Sequence, residues 1–430
     1  MQRIGDLNLG PWIWLAGITL LTTLCVWGLL AIAPWENMVP DFVCYWAAGE
    51  LIASGHSPYD VGLQAEIQGR CGWDKSRDGL GKYDFLPYYY PPWFAAGCAL
   101  LLPLGYQGAK IAWFFINFEL LLVSAYLLRD AVPGLPRSIP LATVPIFTFS
   151  VISLFVGQTL ILILFLVAVA WRLIERGSDY AAGAMLACLT TKPQLTGVLV
   201  LLLLLWSARQ RRWAIVQGFA LALAALGLAS ALFVPWWPIE MIRASQQTPP
   251  PTAYFPWIGT TWFLILKTIG LSSWGLWVLY LGVAIPFFIL VTWEASERSR
   301  PLEDIIALGL LVPFIVAPYG RHYDFPVLLI PMYVLLARRL SEISGAILLF
   351  ALVILPYIHF GMLVRFRQKY PSNVRLFPEF TFFWVPLLLV LIWLATEASA
   401  ALRRRTARIA GCTDSASSPS AQTIRHLSPS

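Results

Sequence analysis

Charge is scarce in this chain: Asp, Glu, Lys and Arg make up 12% of its 430 residues, about half the share of a soluble globular domain. Together with 58% hydrophobic residues and a mean hydropathy of +0.70, that scarcity excludes a soluble fold and marks a polytopic membrane protein. Long polar segments are also lacking, so nothing divides the apolar stretches into separate folded domains. Histidine is rare and dispersed: the 4 residues His56, His322, His359 and His426 form no pair, with each other or with cysteine, at ligand spacing. A structural or catalytic metal site is therefore not expected. Of the 6 cysteines, Cys25, Cys98 and Cys188 read as packing residues, while Cys44 and Cys71 share one polar loop and could pair in an oxidising compartment.

Apolar runs dominate what is present. Residues 11–34 exceed the roughly 20 needed to cross a bilayer as a helix. Cleavage as a signal peptide is the rival reading, because Ala31-Ile32-Ala33 mimics a small-x-small site. The run is nevertheless longer than the usual signal core of about 7 to 15 residues. Twelve further apolar stretches follow between residues 92 and 398, which with the first predict about 11 to 13 crossings. Whether residues 92–128 cross once or twice stays open. Several stretches are short or broken by Pro, Gly or Lys, and a membrane tolerates this only where partner helices or a wet cavity satisfy the freed backbone groups. The expectation is an all-α polytopic membrane domain over residues 1–400 that encloses a polar cavity. A basic and then disordered cytoplasmic tail over 401–430 follows it.

Arginines set the orientation, because short cytoplasmic loops carry an excess of basic residues. Arg172 and Arg176, then Arg209, Arg211 and Arg212, then Arg298 and Arg300, then Arg338 and Arg339 recur at one end of successive hairpins, and Arg403, Arg404 and Arg405 join them. The opposite connections, 34–91, 157–158, 192–194, 235–259, 319–324 and 365–379, then face outward. The first outer loop, 35–91, carries eight acids against four bases, the sign expected outside. The net charge of +7 is thus a signature of topology and does not argue for nucleic-acid binding. Arg365, Arg367, Lys369 and Arg375 depart from the rule if their loop is external. Attraction to anionic lipid headgroups or a phosphorylated acceptor is one account, and a miscounted helix is another.

Asp41 opens the first outer loop, and an ionisable group at the mouth of so hydrophobic a protein is a functional candidate by default. Residues 41–53 read as a short helix whose aromatics could lie in the lipid headgroup layer, with Asp41 and Tyr45 on one face. The plain alternative is that Asp41 only caps this helix, a task Asn, Ser or Thr would do as well. The helix ends at Gly55 and His56-Ser57-Pro58-Tyr59-Asp60 is a turn. Tyr88-Tyr89-Tyr90-Pro91-Pro92-Trp93 follows, either an aromatic belt at the membrane surface or a cavity wall that could bind a sugar. Lys192 interrupts an apolar hairpin, which favours an anionic partner or a wet cavity over lipid, although a lysine near a helix end can also snorkel. Tyr319-Gly320-Arg321-His322-Tyr323-Asp324 concentrates polar side chains between two spans, with an internal Arg321 to Asp324 bridge as the bland reading. Asp41 and Asp60 as a cation pair have only their shared loop in favour.

In order and spacing, Asp41, Tyr45, Gly55, Pro58-Tyr59-Asp60, Tyr90-Pro91-Pro92, Gly157-Gln158 and Lys192-Pro193-Gln194 resemble the pattern of glycosyltransferase family 87. That family includes the polyprenol-phosphate-mannose-dependent mannosyltransferases of mycobacterial phosphatidylinositol mannoside and lipomannan assembly. The resemblance implies a GT-C fold in the plasma membrane, with the active site on the periplasmic or outer face. It also implies inverting transfer of a sugar, with mannose expected, from a polyprenyl-phosphate donor to a lipid or glycan acceptor without a cofactor. Asp41 would be the general base, Lys192, Arg321 and His322 would face the donor phosphate, and Tyr45, Tyr59, Tyr90, Gln158 and Gln194 would contact substrate. A transporter or flippase would share the broken helices. Such proteins commonly carry internal repeats and midplane charges, whereas this chain repeats neither the Asp41 nor the Lys192 motif and gathers its polar residues at helix ends.

Overall fold

The computed structural model describes residues 20, 38–73, 85–295, 300–338, 340–369 and 378–416. Residues 11–19 and 21–34 of the first apolar run, Arg375 and the tail after residue 416 therefore lie outside the described residues. Every regular element among the described residues is a helix. The chain divides into two compact units, Met1–Pro386 and Leu387–Ser430.

The first unit opens with α1 (Phe42–Ala53) and α2 (Val61–Arg70), the second capped by the Asp60 carboxylate on the Leu63 amide. Asp60 is thus a helix cap, its Oδ1 accepting the Leu63 amide at 2.9 Å. After the aromatic segment come α3 (Pro92–Ala99), only 8 residues, and α4 (Gly105–Leu128), 24 residues. Eight residues are too few to cross a bilayer, so residues 92–128 hold one candidate span, Leu102–Leu128. A bent pair follows, α5 (Ser138–Ile146) and α6 (Thr148–Val156), meeting at 45°. Next are α7 (Leu160–Glu175), α8 (Asp179–Cys188), α9 (Pro193–Arg209) and α10 (Trp213–Phe233).

Beyond them run α11 (Trp237–Gln247), α12 (Trp262–Thr268), α13 (Ser273–Ala295), α14 (Leu302–Leu311) and α15 (Pro313–Val316). A 3₁₀ turn, His322–Leu328, leads into α16 (Leu329–Arg338), then α17 (Glu342–Val353) and α18 (Leu355–Lys369). The last helix, α19 (Trp384–Ala416), begins in the first unit and forms the described part of the second. Helix therefore continues through Arg403–Arg405 and past residue 408, where the composition predicts disorder.

Five described helical segments are long and apolar enough to span a membrane, or six when the bent pair is taken as one. They are fewer than the apolar stretches of the sequence because a stretch counts wherever apolar residues run together, whereas α7, α8 and α9 are continuous for only 16, 10 and 17 residues. Side-chain exposure follows the same logic. On α10, Leu228 and Leu232 are 70% and 86% exposed, as lipid-facing leucines are, while α14 is buried almost throughout.

Candidate functional site

Asp41 begins with the backbone. The Val39 amide donates to the Phe155 carbonyl at 2.6 Å and the Asp41 amide to the Val156 carbonyl at 3.1 Å, pinning the start of α1 to the end of α6. Val39 adopts φ 55°, an outlier for a β-branched residue that such pinning can sustain. Gly157 closes α6 at φ 82°, and a Cβ there would meet Val39 Cγ1 at 2.5 Å. Trp113 Nε1 donates to the Gly157 carbonyl at 2.9 Å, adding a third tie.

The carboxylate does not cap α1. No side-chain capping bond forms at Asp41, and its Oδ2 accepts instead from Gln158 Nε2, one residue past the glycine. The capping alternative is thereby excluded. Asp41 Oδ1 accepts from no described residue and the side chain lines a cavity of about 590 Å³. Burial lifts the Asp41 pKa from 3.8 to about 6, against the opposing pull of Arg321, the Gln158 hydrogen bond and Lys192, while Glu379 adds to the rise. Nor does α1 lie at a lipid surface with one face outward, since ten of its 12 residues are buried in protein. Its aromatics pack inward: Phe42 stacks on Trp113 at 5.6 Å, and Tyr45 meets Phe94 edge-on at 5.4 Å.

Tyr45, Tyr90, Gln158, Lys192, Gln194 and Arg321 line the same cavity as Asp41, and so does His322. The Tyr45 and Tyr90 hydroxyls stand 3.2 Å apart. Tyr59 is the exception: its hydroxyl donates to the Tyr90 carbonyl at 2.8 Å, and it lies behind the wall as a brace. The six connections that alternation assigns to one side, from the first loop to the one ending at Glu379, all contribute lining residues.

The basic residues are already engaged. Lys192 sits between a 3₁₀ turn and Pro193, the first residue of α9, and its Nζ lies 2.7 Å from Asp324 Oδ1 with side-chain exposures of 4% and 0%. The other Asp324 oxygen accepts the Arg321 backbone N–H at 2.8 Å. The alternative of a guanidinium bridge from Arg321 to Asp324 thus gives way to a backbone cap. The Arg321 guanidinium turns to Glu379, with Nη2 2.6 Å from Oε1 and Nε 3.1 Å from Oε2. His322 Nδ1 lies 2.8 Å from the same Oε2. A carboxylate only accepts, so Nδ1 carries a proton and donates it to Glu379.

Glu379 and Asp324 escape the sequence reading as site residues. Glu379 carries one signal, an isolated acid at the end of a basic connection and the start of an apolar stretch, the same signal that draws attention to Asp41. Cys44 and Cys71 are both free thiols, so the disulfide is not formed. Cys44 Sγ donates instead to the Asp41 carbonyl at 3.1 Å. Arg365 is exposed on the last turns of α18, and nothing among the described residues ties it to the cavity.

Matched against protein families, residues 88–318 fit the model described as Glycosyltransferase family 87, which is more than half of the chain. Comparisons with curated proteins and with solved structures gave no match. The matched segment holds Tyr90, Gln158, Lys192 and Gln194, while Asp41, Tyr45, Arg321, His322 and Glu379 lie on either side of it.

Proposed function

The chain belongs to glycosyltransferase family 87 and is a membrane glycosyltransferase, and on that premise we propose that it moves a sugar, mannose in the first instance, from a polyprenyl-phosphate donor to a lipid or glycan acceptor at the outer membrane face. Transfer is inverting. Asp41 is the general base: its free oxygen takes the proton of the acceptor hydroxyl as that oxygen attacks the anomeric carbon, a role that contributes roughly 10² to 10⁴ in rate. The departing lipid phosphate gathers negative charge, which fixed cations and aligned donors stabilise in a water-poor site. Arg321 supplies the Nη1 edge that Glu379 leaves unused, and Lys192 Nζ has protons beyond the one shared with Asp324. Tyr45, Tyr90 and Gln194 offer hydroxyl and amide groups to the sugar.

The observation that carries this reading is the Asp41 carboxylate, turned away from its own helix end and held in the cavity by Gln158. The test is transfer by membranes containing the protein, supplied with a lipid extract and either polyprenyl-phosphate-[³H]mannose or a nucleotide-linked [³H]mannose after the endogenous polyprenyl phosphate is removed. Label is expected to reach the acceptor only from the lipid-linked donor. Transfer from the nucleotide sugar alone would overturn the donor assignment, and movement of donor across sealed vesicles with no new glycosidic bond would replace the transferase reading with transport.

A further inference from the structure

Arg321 alone could not serve as a fixed electrostatic element, because an arginine side chain rotates about several bonds and loses that rotamer freedom when held in one pose. Here it is held. Glu379 grips the guanidinium side-on through Nε and Nη2, leaving Nη1 with no partner among the described residues. The carboxylate uses both oxygens and also receives His322 Nδ1. Glu379 and His322 are buried, and all three side chains line the cavity that contains Asp41. The contact joins Arg321 to a residue 58 positions further along, so local chain geometry does not account for it.

We propose that Glu379 is a positioning residue for transfer, fixing the Arg321 Nη1 edge toward the donor phosphate and holding the His322 ring in one orientation through its Nδ1–H. The proposal rests on the transferase reading above. Glu379 touches neither reacting atom; it acts through Arg321 and His322. Its charge also bears on the base. Glu379 raises the Asp41 pKa, whereas Arg321 and Lys192 lower it. Cys44, Tyr45, Tyr319 and Tyr323 also feel the Asp41 charge, and Tyr90 and His322 face the same cavity.

Two variants separate alignment from charge. Glu379→Gln keeps the shape but sets an amide N–H₂ against one of its former donors, so Arg321 loses its fork and the negative charge disappears. Glu379→Asp keeps the charge and withdraws it by one methylene. Full-length protein in detergent is assayed for donor kcat and KM across pH, and binding of a short-chain polyprenyl phosphate is measured directly. A misplacement of about 1 Å costs on the order of 10²-fold, so both variants should lose about ten- to a hundredfold in kcat. Donor KM and prenyl-phosphate affinity should be held or improved, because Arg321 remains cationic. In Glu379→Gln the acid limb of the pH profile should move down, and in Glu379→Asp it should stay near the wild-type value. A merely structural role would lower the yield of folded protein and leave kcat per folded molecule and the acid limb where they are. Wild-type kcat and an unmoved acid limb in Glu379→Gln would overturn the proposal. A wild type that neither binds the prenyl phosphate nor transfers sugar would overturn the transferase reading itself and this inference with it.

Discussion

At the scale of single residues, the proposed chemistry turns on when Asp41, the proposed base, is ionised. A base must be deprotonated, and burial raises its pKa to about 6, so activity should be low below that value and rise as pH passes through it. The expected outcome is an acid limb in kcat/KM centred near pH 6, with about a tenfold fall per unit below it. A limb near 4 would mean a solvated carboxylate in place of this buried one. Much of the site is legible in the sequence, because Asp41, Lys192, Arg321 and His322 are polar residues in places where an apolar chain keeps few. Tyr59 misleads: its motif position is as suggestive as that of Tyr90, and only the direction of its hydroxyl, onto the Tyr90 carbonyl, separates brace from lining. Glu379 is hidden for a different reason, since its meaning depends on Arg321 and His322, 58 and 57 residues earlier.

Among the helices, two devices hold the site. The first is the junction of α6 with α1. Alanine at Gly157 would combine left-handed backbone strain of roughly 1–2 kcal/mol with a clash on Val39. Gly157→Ala should therefore destabilise by at least about 2 kcal/mol and weaken transfer by shifting Gln158 from Asp41. Gly177 makes the control: it too has a positive φ, 73°, but open space around it, so Gly177→Ala should cost the backbone strain alone, about 1–2 kcal/mol, and leave transfer intact. Thermal unfolding in detergent and the transfer assay check both. The second device is the buried pair of Lys192 and Asp324, joining the start of α9 to the turn before α16. Removing one partner strands the other, so Lys192→Met should cost about 3–5 kcal/mol, and the double variant Lys192→Met with Asp324→Leu should recover much of that stability. Recovery of stability without recovery of transfer is the expected pattern, since Lys192 also faces the cavity. The helices themselves are readable from apolar runs, but their breaks are not. Why 92–104 becomes a short helix and a turn, while 105–128 is continuous, depends on the packing of α3 against α1, where a Cβ on Gly49 would come within 2.9 Å of the Ala99 amide.

For the molecule as a whole, alternation of basic and polar connections assigns six loops to one side, and one cavity draws its lining from all six. That agreement was available to sequence reasoning only as a list of loops; their convergence depends on helix packing between residues far apart in the chain. If the shared side is the outer one, then in whole cells a membrane-impermeant maleimide should label Ser54→Cys, made with Cys71→Ser, and should leave Ser178→Cys unlabelled until the membrane is opened. Both positions are exposed. The reverse pattern would invert the proposed orientation while leaving the site intact. The central claim, that Asp41 is the base for sugar transfer, is tested most directly by turnover of polyprenyl-phosphate-[³H]mannose in Asp41→Asn, normalised to folded protein and to donor bound. Asparagine preserves the size of the side chain and its contact with Gln158, so binding should persist while turnover falls by about 10² to 10⁴; turnover within a few-fold of wild type would contradict the account.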